Sequence, residues 1–214
     1  MRTKTGSYTG DGAASQAISG VGFQPDLVII KSAAANNAVL RSSSMGNTKD
    51  IITNVAFEAG LITSLDVDGF TVGSVARVNT NLVVYHYVAI KDNGGADFKV
   101  STYTGNGLDG HNISGVGFQP DLVIICVDDV LVTVFKPSSL PGDAALQFSA
   151  VGTAANLIQA LAADGFQVGT DTQVNTNLVT YHYVAIKNVV GLFNVFTYIG
   201  NGIDGTNVNG QGMT

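Results

Sequence analysis

The feature that most constrains this chain is internal repetition. GVGFQPDLVII spans residues 20–30 and returns at 115–125, 95 residues later. DGF at 68–70 returns at 164–166, VNTNLV at 78–83 returns at 174–179, and YHYVAIK at 85–91 returns at 181–187, each 96 residues later. The register therefore gains one residue between these blocks. Aligning RSSSMG (41–46) with KPSSLPG (136–142) puts the insertion near Pro141, in a loop, where insertions are tolerated. A third start is visible: YTGDG at 8–12, YTGNG at 103–107 and YIGNG at 198–202. A period near 95 is too long for a solenoid, whose repeats run to about 45 residues. The repeat predicts two similar domains, 1–96 and 97–194, joined through a short linker around Asp92–Asp97. Residues 195–214 then form a partial third repeat, expected to act as a C-terminal strand or arm.

Within a unit the pattern is β. DLVIIK, preceded by Pro25, is a continuous apolar run, as in a strand buried on both faces. DGFTVGS and DGFQVGT carry Asp-Gly, a turn signal that leads into a strand. In VVYHYVAIK, alternation puts Tyr85, Tyr87 and Ala89 on one face and His86, Val88 and Ile90 on the other, and both faces are largely apolar. FKVSTYTG and FNVFTYIG alternate in the same way. Helix is expected in TNVAFEAGLITSLDVD or TAANLIQALAAD at most, the second being the better candidate. The 26 glycines, clustered with Asn, Thr and Ser, fit many turns between short strands. The expected class is all-β: two tandem jelly-roll or β-sandwich domains with little helix.

Several chemistries are disfavoured. Net charge is −6, with no Lys/Arg cluster to bind a phosphate backbone, so no nucleic-acid partner is expected. The opening MRTKTGSYTG lacks an apolar segment and no run of 18 apolar residues occurs; neither a signal peptide nor a membrane span is expected. Gly105-x-Gly107-x-x-Gly110 has the spacing of a dinucleotide loop, but HNISGVGFQP follows it where a helix is required, so it reads as a turn. DVDG at 66–69 hints at a calcium loop, yet its counterpart reads AADG and it too reads as a turn. The lone Cys126 lies in an apolar strand and reads as a packed hydrophobe. His86 and His182 occupy equivalent positions and read as packed or hydrogen-bonded residues; His111 lies in a turn. Three histidines and one cysteine do not make the usual zinc sites, so neither metal nor cofactor is expected. The Asn112-Ile113-Ser114 sequon carries no weight without a secretion signal. Asn79-Thr80-Asn81 and Asn175-Thr176-Asn177 read as hairpin turns, with a shared carbohydrate-binding loop as the functional alternative. The candidate interaction residues are Asn79, Asn81, Asn175 and Asn177, together with Tyr198, Gly200 and Asn201 in the third start. Segments 32–60 and 127–156 have diverged; if the two halves contact different partners, these segments are where the contacts are expected.

The ordered series YTGNG, GFQPDLVIIK, DGFxVG, VNTN and YHYVAIK resembles a domain found, often in tandem, in structural proteins of tailed bacteriophages. The resemblance covers both units; GFxPDxVxxK and YxYxA are its most specific parts. It departs at Ile29 and Ile124, where an aromatic residue often stands, and at Cys126, which replaces Lys31 of the first unit. The resemblance implies a lectin-type sandwich or jelly roll and no catalytic residues. It implies a non-enzymatic virion protein assembled in the host cytoplasm: a capsid decoration (cement) or tail-surface protein that binds neighbouring virion subunits and forms homo-oligomers. The alternative is a carbohydrate-binding fibre or adhesin module that contacts surface glycans. A sandwich hydrolase would need paired carboxylates, and Glu58 is the chain's single glutamate.

Overall fold

A computed structural model of the chain describes residues 1–208. The first unit contains β1 (Arg2–Thr9), β2 (Gln16–Ile18), β3 (Leu27–Ser32), β4 (Val39–Ser42), β5 (Lys49–Asp50), β6 (Ile62–Asp66), β7 (Gly69–Val72), the single-turn α1 (Ala76–Asn79) and β8 (Val84–Lys91). The second repeats the series as β9 (Phe98–Thr104), β10 (His111–Ser114), β11 (Leu122–Val127), β12 (Val134–Pro137), β13 (Leu146–Gln147), β14 (Ile158–Ala162), β15 (Gly165–Val168), α2 (Thr172–Asn175) and β16 (Thr180–Ile186). Among the described residues strand makes up 41% and helix 4%, which settles the class as all-β.

Each unit is a sandwich. A five-stranded antiparallel sheet, β1-β8-β3-β4-β5 or β9-β16-β11-β12-β13, faces a three-stranded one, β2-β7-β6 or β10-β15-β14. First pairs with last strand and second with second-last, while β3 pairs with β4 and β6 with β7, and the second unit repeats this order. Alternation sends Val28 and Ile30 of β3 inward, where they meet Phe70, Val72 and Ile62 of the small sheet. Val123 and Ile125 of β11 meet Phe166, Val168 and Ile158 in the same manner.

The other faces of the large sheets meet each other. Leu27, Leu40, Ile51 and Ile90 from the first unit and Phe98, Ile124, Cys126, Val184 and Ile186 from the second form a third buried cluster. The order is therefore small sheet, large sheet, large sheet, small sheet. This is why DLVII is apolar at every position: one parity serves the unit's own core and the other serves the shared cluster. Polar contacts tie the seam at its rim. Lys49 Nζ donates to Asp129 O (2.9 Å) and to Val55 O, Phe57 N donates to Asp128 Oδ1 (2.7 Å), and the Met1 ammonium pairs with Asp97 (2.6 Å).

The DGF motif is explained by one contact repeated in each unit. Asp68 accepts hydrogen bonds from the amides of Gly20 (3.0 Å) and Gly22 (2.6 Å); Asp164 accepts from Gly115 (3.0 Å) and Gly117 (2.7 Å). These amides hold both carboxyl groups below the usual carboxylate range. Gly69 and Gly165 pass so near the paired strand, β2 or β10, that a Cβ would lie 1.9 Å from the carbonyl oxygen of Ile18 or Ile113. No residue but glycine fits there.

Four expectations are corrected. TAANLIQALAAD forms no helix, because Ile158–Ala162 pairs with β15 across the Asp-Gly turn, with a bulge between Ile158 and Ala160. TNVAFEAGLITSLDVD contributes β6, not a helix. VNTN is the end of a short helix rather than a hairpin turn. FNVFTYIG forms no strand beyond an isolated Val189–Phe193 bridge: its equivalents β1 and β9 pair with β8 and β16, and among the described residues no third strand of that kind receives it. Residues 195–208 add to none of the four sheets; residues 209–214 of the expected arm lie outside the described residues.

Phe98 is fully buried in the shared cluster. Phe98→Ala is expected to destabilise the whole chain by about 3–5 kcal/mol, measured by denaturant unfolding.

Candidate functional site

The duplicated loops that begin with VNTN form the most elaborate polar construction in each unit. Asn79, 1% exposed, accepts from Asp11 N (2.9 Å) and Gly12 N (3.3 Å) and donates to Asp11 Oδ1 (3.0 Å) and Ala13 O (3.1 Å). Asn175, fully buried, accepts from Asn106 N (2.8 Å) and Gly107 N (3.4 Å) and donates to Asn106 Oδ1 (3.2 Å), Leu108 O (2.8 Å) and Gly169 O (2.8 Å). The Nδ1 of His111 sits 3.2 Å from its oxygen. These asparagines satisfy the amides of the YTGxG loop, whose glycines let the chain come close; a Cβ on Gly105 would lie 2.2 Å from Thr176 O.

Tyrosines lock the same loops from the strands. Tyr85 OH donates to Ala76 O and accepts from Thr80 N, both at 2.7 Å; Tyr181 OH does the same with Thr172 O (2.6 Å) and Thr176 N (2.8 Å). Tyr8 stacks on Tyr85 and Tyr103 on Tyr181, each pair at 5.2 Å between ring centres. Their hydroxyls donate to Val78 O (2.7 Å) and Val174 O (2.6 Å).

The rigid base presents an unusual tip. Leu82 and Leu178 have φ of +63° and +65°, the left-handed region, and are 80% and 81% exposed. A leucine held there costs about 1 kcal/mol relative to glycine, and exposure returns nothing to the fold. Asn81 and Asn177, next to them, are exposed. Of the four asparagines singled out from the sequence, Asn79 and Asn175 are thus internal anchors, while Asn81 and Asn177 lie at the surface. The leucines were missed because an apolar residue before a strand reads as core; the signal for them was their retention within VNTNLV in both copies.

Tyr198, Gly200 and Asn201 lie apart in the irregular C-terminal segment. Tyr198 is 67% exposed, its neighbour Ile199 94%, and Asn201 Oδ1 accepts from Ile203 N (3.0 Å) and Thr206 Oγ1 (2.6 Å).

The equivalent histidines differ in surroundings. His86 is exposed on an open groove of the first large sheet, beside Val88, Lys31, Ile29 and Ser7. His182 lies under the first unit, with Nδ1 3.1 Å from Ser44 Oγ and its ring 5.2 Å from Phe57. Burial lowers the His182 pKa, against the opposing pull of Asp128 and Ser44. Cys126 is sealed in the seam, and burial, only partly offset by Lys49, pushes its thiol up to about 12. Glu58 is held by Arg77, which also binds Asp50 (2.9 Å). Among the described residues no group of three or more His, Cys, Asp or Glu side chains is placed to hold a metal ion, and no helix is long and apolar enough to cross a membrane.

Residues 2–97 match a family described as a domain of unknown function (DUF7483). No curated protein and no solved structure matches the chain.

Asn175→Ala is expected to cost about 2 kcal/mol, since it strands loop amides and carbonyls, whereas Asn177→Ala should stay within about 0.5 kcal/mol; thermal unfolding of both variants checks the contrast. For His182 the folded pKa lies below the unfolded value near 6.5, so its neutral form is favoured in the fold. Its stabilising effect is complete above that value and is lost as pH falls through it towards the folded pKa. A profile of melting temperature against pH should decline below about 6.5 and flatten in His182→Gln.

Proposed function

We propose that this protein is a non-enzymatic structural component of a tailed-bacteriophage virion, a capsid decoration or tail-surface protein that attaches to neighbouring subunits and assembles in multiple copies. The observation that carries the reading is the pair of loop tips. Both units hold an exposed leucine in a strained backbone conformation on a base fixed by a buried asparagine and a tyrosine. The turn itself is fixed by the Leu82 and Leu178 amides, which donate to Gly10 O and Gly105 O (both 2.9 Å), but the leucine side chains bury nothing, and a strained backbone that displays an apolar side chain is characteristic of sites where contact is made. Two equivalent apolar knobs on one body suit attachment to symmetric neighbours, where weak contacts multiply.

The polar residues retained in both units support the same reading. Asp68 and Asp164, Asn79 and Asn175, and Tyr85 and Tyr181 all bond to their own unit's backbone. Repetition has kept a scaffold and its tips. The exposed apolar residues Phe196, Tyr198, Ile199 and Ile203 add a further surface for a neighbour.

The double variant Leu82→Asn, Leu178→Asn separates contact from folding, because asparagine tolerates the left-handed region better than leucine. Its melting temperature should be unchanged or higher, and it should no longer co-sediment with phage particles lacking the protein. Co-sedimentation equal to wild type would refute the attachment role of these tips.

A further inference from the structure

The two units share a second construction that neither the repeat motifs nor the loop tips include. On the open side of each sandwich, between β4 and β6 or β12 and β14, lies a groove. The first, about 360 Å³, is lined by Gln24, Arg41, Ser43, Met45, Ser64 and Leu65 among others. The second, about 330 Å³, is lined by their counterparts Gln119, Lys136, Ser138, Leu140, Ala160 and Leu161. The lining is therefore duplicated position by position, although the chain between 32–60 and 127–156 has diverged.

Each groove has a cation at its base. Lys136 is 3% exposed and its Nζ donates to Gly142 O (2.8 Å) and Ala144 O (2.5 Å). Arg41 donates through Nη1 to Ile62 O (2.6 Å), and its Nε is buried with no hydrogen-bond partner. Among the described residues neither cation has a carboxylate within 4.0 Å. Burial lowers both pKa values, the sign of a charge held away from water. Arg41 and Lys136 line their grooves, with Asp143 acting on Lys136 from nearby, and a partly desolvated cation at a groove wall favours an anionic acceptor. Around it stand the groups that recognise hydroxyls. Gln24 and Gln119 cross the floor, donating to Leu65 O (2.7 Å) and Leu161 O (3.2 Å), with serines beside them. Met45 with Leu65, or Leu140 with Leu161, supplies an apolar wall for the carbon face of a ring.

We propose that the two grooves are equivalent binding sites for a carboxylate-bearing saccharide, such as a uronic or sialic acid residue of a surface glycan. The carboxylate pairs with Arg41 or Lys136 and the ring hydroxyls meet the glutamine and serine. A carboxylate stands at each groove, Asp26 in the first and Asp121, bonded to Ser138 Oγ (2.9 Å), beside the second, so the two sites are expected to bind with similar affinity. Two sites on one body make a glycan surface a better ligand than a free sugar. This role is separate from attachment through Leu82 and Leu178, and the variants that test one leave the other intact.

Saturation-transfer NMR and titration calorimetry with glucuronate and N-acetylneuraminate test the proposal, with glucose and inorganic phosphate as probes of ring and charge alone. Wild type should bind the acid sugars at two sites and prefer them at least about tenfold over glucose and phosphate. Lys136→Met should leave one site, and Lys136→Met with Arg41→Met none. Should the latter variant misfold, Ala160→Trp, at the exposed lip of the second groove, should block that site alone. The proposal fails if glucose or phosphate binds as well as glucuronate, if no acid sugar binds at about ten millimolar, where only contacts weaker than about 3 kcal/mol escape detection, or if these variants bind as wild type does.

Discussion

The contact on which the rest of the structure depends is the burial of one large sheet against the other. A five-stranded sheet whose outer face carries Leu27, Leu40, Ile51 and Ile90 cannot leave that face in water without exposing a contiguous apolar patch. The second unit presents Phe98, Ile124, Val184 and Ile186 in return. Each strand of DLVII type is flanked by strands on both edges; that of the second unit is covered on both faces, whereas in the first the seam covers Leu27 and leaves Lys31 at the open groove. Loops, tips and grooves are then displayed on a body with three cores.

The two units are alike in sequence but not in exposure, and the offset of the seam is the reason. Val88 is 37% exposed and Val184 is 3%; His86 is open and His182 is covered by Phe57 and Ser44. Where the first unit has Lys31 the second has Cys126, which is sealed in the seam. A lysine there would leave an ammonium within an apolar cluster. The substitutions between copies follow what covers each position. The cost of fusion appears at Lys49, fully buried at the rim and satisfied by carbonyl oxygens from both units.

Much of this was legible in the residues. The all-β class, the turn character of Gly105–Gly110 and of DVDG, and the burial of Cys126 follow from punctuation and apolar runs. The strand Ile158–Ala162 was not legible: LIQALA has no alternation to mark it, and its conformation is imposed by pairing with β15. FNVFTYIG alternates well yet, among the described residues, it makes only the isolated Val189–Phe193 bridge and joins no sheet, so pattern without strand pairing does not make a strand. At the candidate site, asparagine was read for its turn chemistry, whereas Asn79 and Asn175 act through burial, a property of partners 64 to 69 residues away. The grooves were invisible because residues from distant segments, Gln24, Arg41 and Leu65, meet only in the folded sandwich.

The central claim is that the two units are one thermodynamic body, joined across the large sheets. Differential scanning calorimetry of the intact chain tests it most directly. The account predicts a single transition whose calorimetric and van't Hoff enthalpies agree, the mark of all-or-none unfolding. Two resolved transitions, each with the enthalpy of about 100 residues, would contradict it.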